Sequence, residues 1–165
     1  MLRDHDFREY RGRRVTIFGL GSFGCGVGAA RFLAERGARV TITDRRTAEQ
    51  LTESIAALGG VPIERWRLGE HVAEDFTTAE LIVVNPAIRR DHPLLAVAQD
   101  AGVPLTSELN LCWQHLRAPI LAVTGSNGKS TTTAMLHNIL SRTGRRCWLG
   151  GNVGRSLLPH VDEIT

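Results

Sequence analysis

Long hydrophobic runs are missing from this 165-residue sequence. No stretch approaches the roughly 20 apolar residues that a membrane-spanning helix requires. The opening "MLRDHDFREYRG" is polar and charged and lacks the apolar core of a secretory signal. Cysteine is scarce: Cys25, Cys112 and Cys147 lie far apart with no CxxC spacing. That argues against a disulfide framework or a zinc site and for a reducing, cytoplasmic setting. The six histidines show no metal-ligand spacing and receive no catalytic role. No long block of Lys and Arg argues for DNA or RNA; the densest run, "RGRR" (Arg11–Arg14), reads as a solvated approach to a strand. The net charge of +3 suits a phosphate-bearing ligand without requiring nucleic acid.

What is present is ordinary globular composition, 42% hydrophobic and 22% charged. The length suffices for one domain with a proper core and is short for two. Short β-branched runs alternate with amphipathic stretches. Strands are predicted at Val15–Phe18, Val40–Thr43, Leu81–Val84 and Ile120–Val123, and more weakly at Val61–Trp66, Val103–Thr106 and Arg146–Leu149. Helices are predicted from Cys25 to a stop at Gly37, over Thr47–Leu58, over His92–Asp100, and around Met135, Leu136, Ile139 and Leu140 with a stop at Gly144. This alternation predicts a parallel, Rossmann-like α/β sheet with right-handed crossovers. "LRAP" (Leu116–Pro119) marks a boundary between residues 1–118, a complete domain, and 119–165, the first βαβ piece of a second one.

"GLGSFG" sets Gly19, Gly21 and Gly24 in GxGxxG spacing between a strand and a helix. The glycines serve a tight turn, close approach of backbone to phosphate, and close helix-to-strand packing. The following helix N-terminus offers N–H groups to a diphosphate. Asp44 ends the second strand about twenty residues further on, where an acid accepts hydrogen bonds from a ribose or a base. Arg45 and Arg46 beside it either hold a phosphate or base or are solvated loop charges. The motif indicates a nucleotide diphosphate but leaves NAD, FAD and UDP-sugars open.

"TGSNGKST" (Thr124–Thr131) is a second nucleotide signature. Lys129 suits phosphate oxygens, the Ser130 hydroxyl suits Mg²⁺, and backbone N–H groups from Ser126 to Ser130 suit an anion nest at a helix start. The common phosphate loop is GxxxxGK[ST]. Here Val123 stands where its first glycine belongs, so the loop is a shorter GxxGKST form.

That shorter loop, in "VTGSNGKSTTT", resembles the ATP loop of the Mur ligases and of their relatives the folylpolyglutamate synthetases. "GGNVG" (Gly150–Gly154) is similar to the turn that follows in this family. "GLGSFG", "ELIVVNPAI" and "HPLLAVAQDAGVPLTSELNL" are most similar to the N-terminal domain of its D-glutamate-adding members. The resemblance runs from about Arg13 to Leu158. It implies an ATP-dependent ligase of peptidoglycan synthesis, and hence of cell-wall biogenesis, cell shape and cell division. Such an enzyme joins UDP-N-acetylmuramoyl-L-alanine to D-glutamate through an acyl phosphate. It also implies site residues. Gly21, Ser22, Phe23 and Gly24 hold the UDP diphosphate. Asp44, Arg45 and Arg46 contact the uracil. Asn85, Pro86 and Ala87 line the uridine pocket. Gly125, Ser126, Asn127, Gly128, Lys129, Ser130 and Thr131 hold ATP, with Lys129 as the catalytic cation and Ser130 on Mg²⁺. Asn152 faces the UDP-sugar.

Two positions depart from the family pattern. Ala87 stands where glycine is common, and Phe23 where threonine is, leaving the Phe23 backbone N–H as its phosphate donor. The family's further metal ligands, carbamylated lysine, later histidine and amino-acid-binding domain have no counterpart here, and Asp162 and Glu163 are not assigned that role. The expectation is a nucleotide-binding N-terminal portion, inactive alone. An NAD-dependent oxidoreductase fragment and a stand-alone nucleotide-binding module stay open as alternatives.

Overall fold

A computed structural model of the chain describes residues 10–21, 24–151 and 156–164. Five strands form one parallel sheet in the order β3-β2-β1-β4-β5: β1 Arg14–Phe18, β2 Arg39–Asp44, β3 Ile63–Leu68, β4 Leu81–Val84 and β5 Leu105–Thr106. The central strand β1 pairs on one side with β2, Val15 opposite Val40, and on the other with β4, Val15 opposite Leu81. The order in which successive strands are added therefore reverses about β1. In such sheets ligands bind beyond the C-terminal ends of the strands at this switch point.

Alternation along β1 divides the core. Val15 and Ile17 belong to a cluster on one face with Phe32, Leu33 and Leu111. Those residues come from α1 (Cys25–Glu35) and α5 (Glu108–His115). Phe18 belongs to a smaller cluster on the other face with Phe76, Ile82, Leu95 and Ala98, carried partly by α3 (Glu74–Thr77) and α4 (Pro93–Asp100). Thr16 points to the same side as Phe18 and its hydroxyl donates to the Asp75 carbonyl at 2.6 Å. Burial on both faces explains why β1, β2 and β4 read as continuous apolar runs.

The predicted strand Leu81–Val84 matches β4, and Val15–Phe18 and Val40–Thr43 lie inside β1 and β2. The predicted helix Thr47–Leu58 divides into a 3₁₀ turn, Glu49–Leu51, and the short α2, Thr52–Ala57. The predicted strands Ile120–Val123 and Arg146–Leu149 are not strands. A strand needs a ladder partner for its backbone groups, and among the described residues these runs have none in the sheet. Between them α6 spans Lys129–Ser141 with no buried residue; Met135 and Ile139 are exposed. The chain then returns to the first unit: Leu158, Val161 and Ile164 are buried, and Leu158 and Val161 join the cluster of α1 and α5.

The start of α1 lies against the turn that follows β1 at Gly26, where an added Cβ would lie 2.1 Å from the Leu20 carbonyl oxygen. Gly24, the last glycine of the motif, caps α1 with φ 85°, and a Cβ there would meet nothing within 4 Å. Gly26→Ala is expected to destabilise the fold by about 1–3 kcal/mol through this overpacking, read as a lower urea midpoint. An unchanged midpoint would contradict the close approach.

Candidate functional site

The described part of the turn after β1, Gly19–Gly21, is held by hydrogen bonds to residues in or next to other strands and helices. Gly19 N donates to the Thr43 carbonyl at 2.8 Å. Leu20 N and Gly21 N donate to Asp44 Oδ2 at 2.9 and 3.3 Å. From β4, Asn85 Nδ2 donates to Gly19 O at 3.1 Å. Its Oδ1 accepts from Ala87 N at 3.0 Å, so one side chain shapes both turns. From α2, the Ser54 hydroxyl donates to Gly21 O at 2.8 Å. Gly21 itself has φ 71°, and a Cβ there would fall 2.7 Å from Asn85 Nδ2. Only glycine fits both constraints.

Asp44 is buried and its two oxygens also accept from Arg46 N, Nε and an Arg46 terminal nitrogen, at 3.0, 3.3 and 3.3 Å. Burial pushes this carboxyl up. The hydrogen bonds from Arg46 and Gly21 and the guanidinium charge outweigh it and hold the carboxyl below its usual range. Its oxygens thus hold the turn in place from the wall of the site.

Beyond these strand ends lies a cavity of about 680 Å³. Gly19, Gly21, Asp44, Arg45, Arg46, Asn85, Pro86 and Ala87 all line it, so the structure brings together these residues singled out from sequence. Cys25, at the start of α1, and Gly151 line it too. Ser22, Phe23 and Asn152 lie outside the described residues. His71, Arg89 and His92 also line it, and none of them was given a site role from sequence. The rings of His71 and His92 flank Phe18, with centroids at 4.9 and 5.0 Å. His71 Nδ1 shares a 2.6 Å hydrogen bond with the Thr43 hydroxyl, and His92 Nδ1 accepts from Leu94 N. Burial, and then the neighbouring His92, push the His71 pKa down, which keeps it neutral at pH 7. They come from separate loops, so only the fold reveals the pair.

A second cavity of about 750 Å³ opens at the opposite, N-terminal ends of the strands. Its charges pair among themselves, Arg14 with Glu80, Arg39 with Glu64, and Arg65 with Asp75, and so leave little demand for a ligand.

The GxxGKST loop leads into α6 through Gly128, the N-cap, with φ 75°. Lys129 Nζ folds back to donate to the carbonyls of Gly125 and Ser126. Residues 125–131 are all exposed and none lines the 680 Å³ cavity. Lys129 is the only lysine in the sequence. Among the described residues there is no group of three or more His, Cys, Asp or Glu placed to hold a metal. No helix among them is long and apolar enough to cross a membrane.

Strand order and the glycine turn together define a Rossmann-type α/β unit. The profile described as "Mur ligase MurD-like, N-terminal domain" matches residues 13–107, and the chain belongs to that family. The UDP-N-acetylmuramoylalanine–D-glutamate ligase of Trichlorobacter lovleyi is 42% identical over 150 residues, 91% of this chain and 33% of that protein. The enzyme of the same name from Treponema pallidum is 43% identical over 156 residues, 94% of this chain and 29% of its own. The chain thus spans about a third of the length of the curated relatives it matches. Among solved structures, the murein peptide ligase Mpl from Psychrobacter arcticus aligns at 24% identity with a TM-score of 0.47, covering 81% of this chain and 27% of that one.

The Asp44 anchor has a pH signature. A depressed folded-state pKa contributes stability that is present above the ordinary carboxylate pKa and lost as pH falls through the folded value. Asp44→Asn is expected to cost about 1–3 kcal/mol at pH 7, with the gap to the parent narrowing toward pH 3. Urea titrations at both pH values check this, and a gap that does not change with pH would contradict it.

Proposed function

We propose that the chain is the N-terminal part of an ATP-dependent ligase that joins UDP-N-acetylmuramoyl-L-alanine to D-glutamate in peptidoglycan synthesis, a cytoplasmic step of cell-wall construction. The observation that carries this reading is the glycine turn at the switch point: its cavity suits a nucleoside diphosphate, in a chain that also bears a GxxGKST loop.

The diphosphate lies along the N-terminus of α1, where backbone N–H groups and the positive end of the helix favour anions. Arg45 and Arg46 at the mouth complement its charge, and Asn85, Pro86 and Ala87 wall the nucleoside. Ser22, Phe23 and Gly24 supply further backbone donors, and Asn152 reaches the sugar-bearing side. The loop from Gly125 to Thr131 takes ATP as the second substrate. In the full reaction the substrate carboxylate attacks the γ-phosphorus, ADP leaves, and an acyl phosphate forms. The amine of D-glutamate then attacks the acyl carbon and inorganic phosphate departs. Lys129 contributes by neutralising charge on the transferring phosphoryl group.

Mg²⁺, when bound, would supply positive charge to the phosphates, and it is commonly held by few protein oxygens plus nucleotide and water. One hydroxyl, Ser130 in the first turn of α6, fits that donor set. The chain supplies binding and part of the charge stabilisation. The amino-acid site and the remaining metal ligands belong to sequence beyond these residues, so the purified 165-residue chain is expected to form no amide from ATP, D-glutamate and the UDP-sugar.

Calorimetry separates this from the dinucleotide alternative. The expected outcome is a Kd for UDP-N-acetylmuramoyl-L-alanine between about 1 µM and 1 mM and no heat with NAD. Tight NAD binding without a UDP-sugar response would overturn the proposal. Because Lys129 is the only lysine, an amine-reactive reagent followed by peptide mapping reports the second site. ATP with Mg²⁺ is expected to slow Lys129 modification several-fold, and no protection would count against an ATP loop.

A further inference from the structure

The segment after α6 does more than fill the core. Its residues Leu158, Val161 and Ile164 are buried, and Leu158 and Val161 pack in one cluster with Phe32 and Leu33 of α1 and Leu111 and Cys112 of α5. Arg36, just past α1, pairs with Asp162. Within this apolar contact sits one polar pair. The Ser156 hydroxyl donates to Glu108 Oε1, and Ser156 Oγ also accepts from Leu158 N at 3.3 Å. Glu108 is the first residue of α5, whose N-cap is Ser107. Burial pushes the Glu108 carboxyl up, partly offset by the Ser156 bond.

Two glycines show how tightly the pair is seated. A Cβ at Gly28 of α1 would stand 2.8 Å from Ser156 Oγ and 3.9 Å from Glu108 Oε1. A Cβ at Gly150 would stand 2.3 Å from Leu157 Cγ. Gly150 is thus clamped to Leu157, and Ser156 to Glu108 and α1. Gly151, immediately after the first clamp, lines the mouth of the nucleotide cavity. The helix gripped by the second clamp is the one whose first residue, Cys25, lines the same cavity.

We propose that Glu108 and Ser156 are positioning residues, a latch that docks segment 156–164 on α1 and thereby holds Gly151 at the mouth of the nucleotide cavity. Apolar burial alone would dock the segment with latitude to slide. A hydrogen bond between two half-buried groups of fixed geometry sets its register. The latch makes the sequence following the phosphate-loop helix a wall of the first site, so the two nucleotide sites share one connected piece of chain. Its effect on ligand affinity rests on the UDP-sugar reading above; its mechanical part does not.

The test uses the full 165-residue chain with Ser156→Ala, Glu108→Ala, Glu108→Gln and the double alanine variant. Amide hydrogen exchange without ligand is expected to quicken in residues 157–164 and at Gly151 in both alanine variants, with the β1, β2 and β4 amides unchanged. Glu108→Gln keeps an acceptor oxygen and is expected to restore slow exchange. Affinity for UDP-N-acetylmuramoyl-L-alanine is expected to fall about 5- to 20-fold in each alanine variant, with the double variant no weaker than the weaker single one. Unchanged exchange in 157–164, or faster exchange across the whole sheet, would overturn the latch. Faster local exchange with unaltered affinity would overturn the positioning role. If the parent chain does not bind the UDP-sugar, the functional reading falls, and exchange alone decides the latch.

Discussion

Asp44 stands at the end of β2 and binds the turn after β1 through Leu20 N and Gly21 N while Arg46 closes on its other side. A buried carboxylate is costly unless it is paired and hydrogen-bonded, and this one is both. Its reach across the sheet turns two strand ends into a single rigid rim. Asn85 does the same from β4, and Ser54 from α2. Gly19, Gly21 and Gly24 all take positive φ, which glycine adopts without strain. Cys25, the first residue of α1, lines the cavity.

The same rim explains why the site is one-sided. Both cavities are large, but the one at the N-terminal strand ends is lined by acids and bases that satisfy each other. The cavity at the C-terminal ends is lined by three arginines, Arg45, Arg46 and Arg89, against one carboxylate, Asp44; Arg46 pairs with Asp44 and Arg89 with Asp91. Its lining carries an excess of positive charge that the balanced acids and bases of the other cavity lack. The rings of His71 and His92, each edge-on to Phe18, add an aromatic lining to this cavity.

Much of this was legible in the residues. β1, β2 and β4 are buried on both faces, so their apolar runs stood out and their predicted bounds fall at or within one residue of the observed ones. The glycine spacing and Asp44 marked the turn. What the turn does with them was less legible: the close approach of α1 to the turn backbone falls on Gly26, which lies outside the motif spacing, and Asp44 accepts from Leu20 N, Gly21 N and the backbone and side chain of Arg46. Ile120–Val123 and Arg146–Leu149 carry strand-like composition without a ladder neighbour among the described residues, so composition misled. α5 has mixed polarity and escaped the periodicity; its signal was Ser107, which caps Asn110 N at 3.2 Å. Glu108, His71, His92 and the docking of Leu158 depend on contacts between residues far apart in sequence, and no local pattern encodes those.

The central claim is that a nucleoside diphosphate sugar is held at the rim which Asp44 and Asn85 build, with the segment after α6 as part of its wall. An amide-resolved NMR titration of the chain with UDP-N-acetylmuramoyl-L-alanine tests it most directly. Shifts concentrated at Gly19–Gly21, Cys25, Arg45–Arg46, Asn85–Ala87 and Gly151 are the predicted result. Shifts confined to residues 125–131, or to the N-terminal strand ends around Arg14, Glu64 and Glu80, would contradict it.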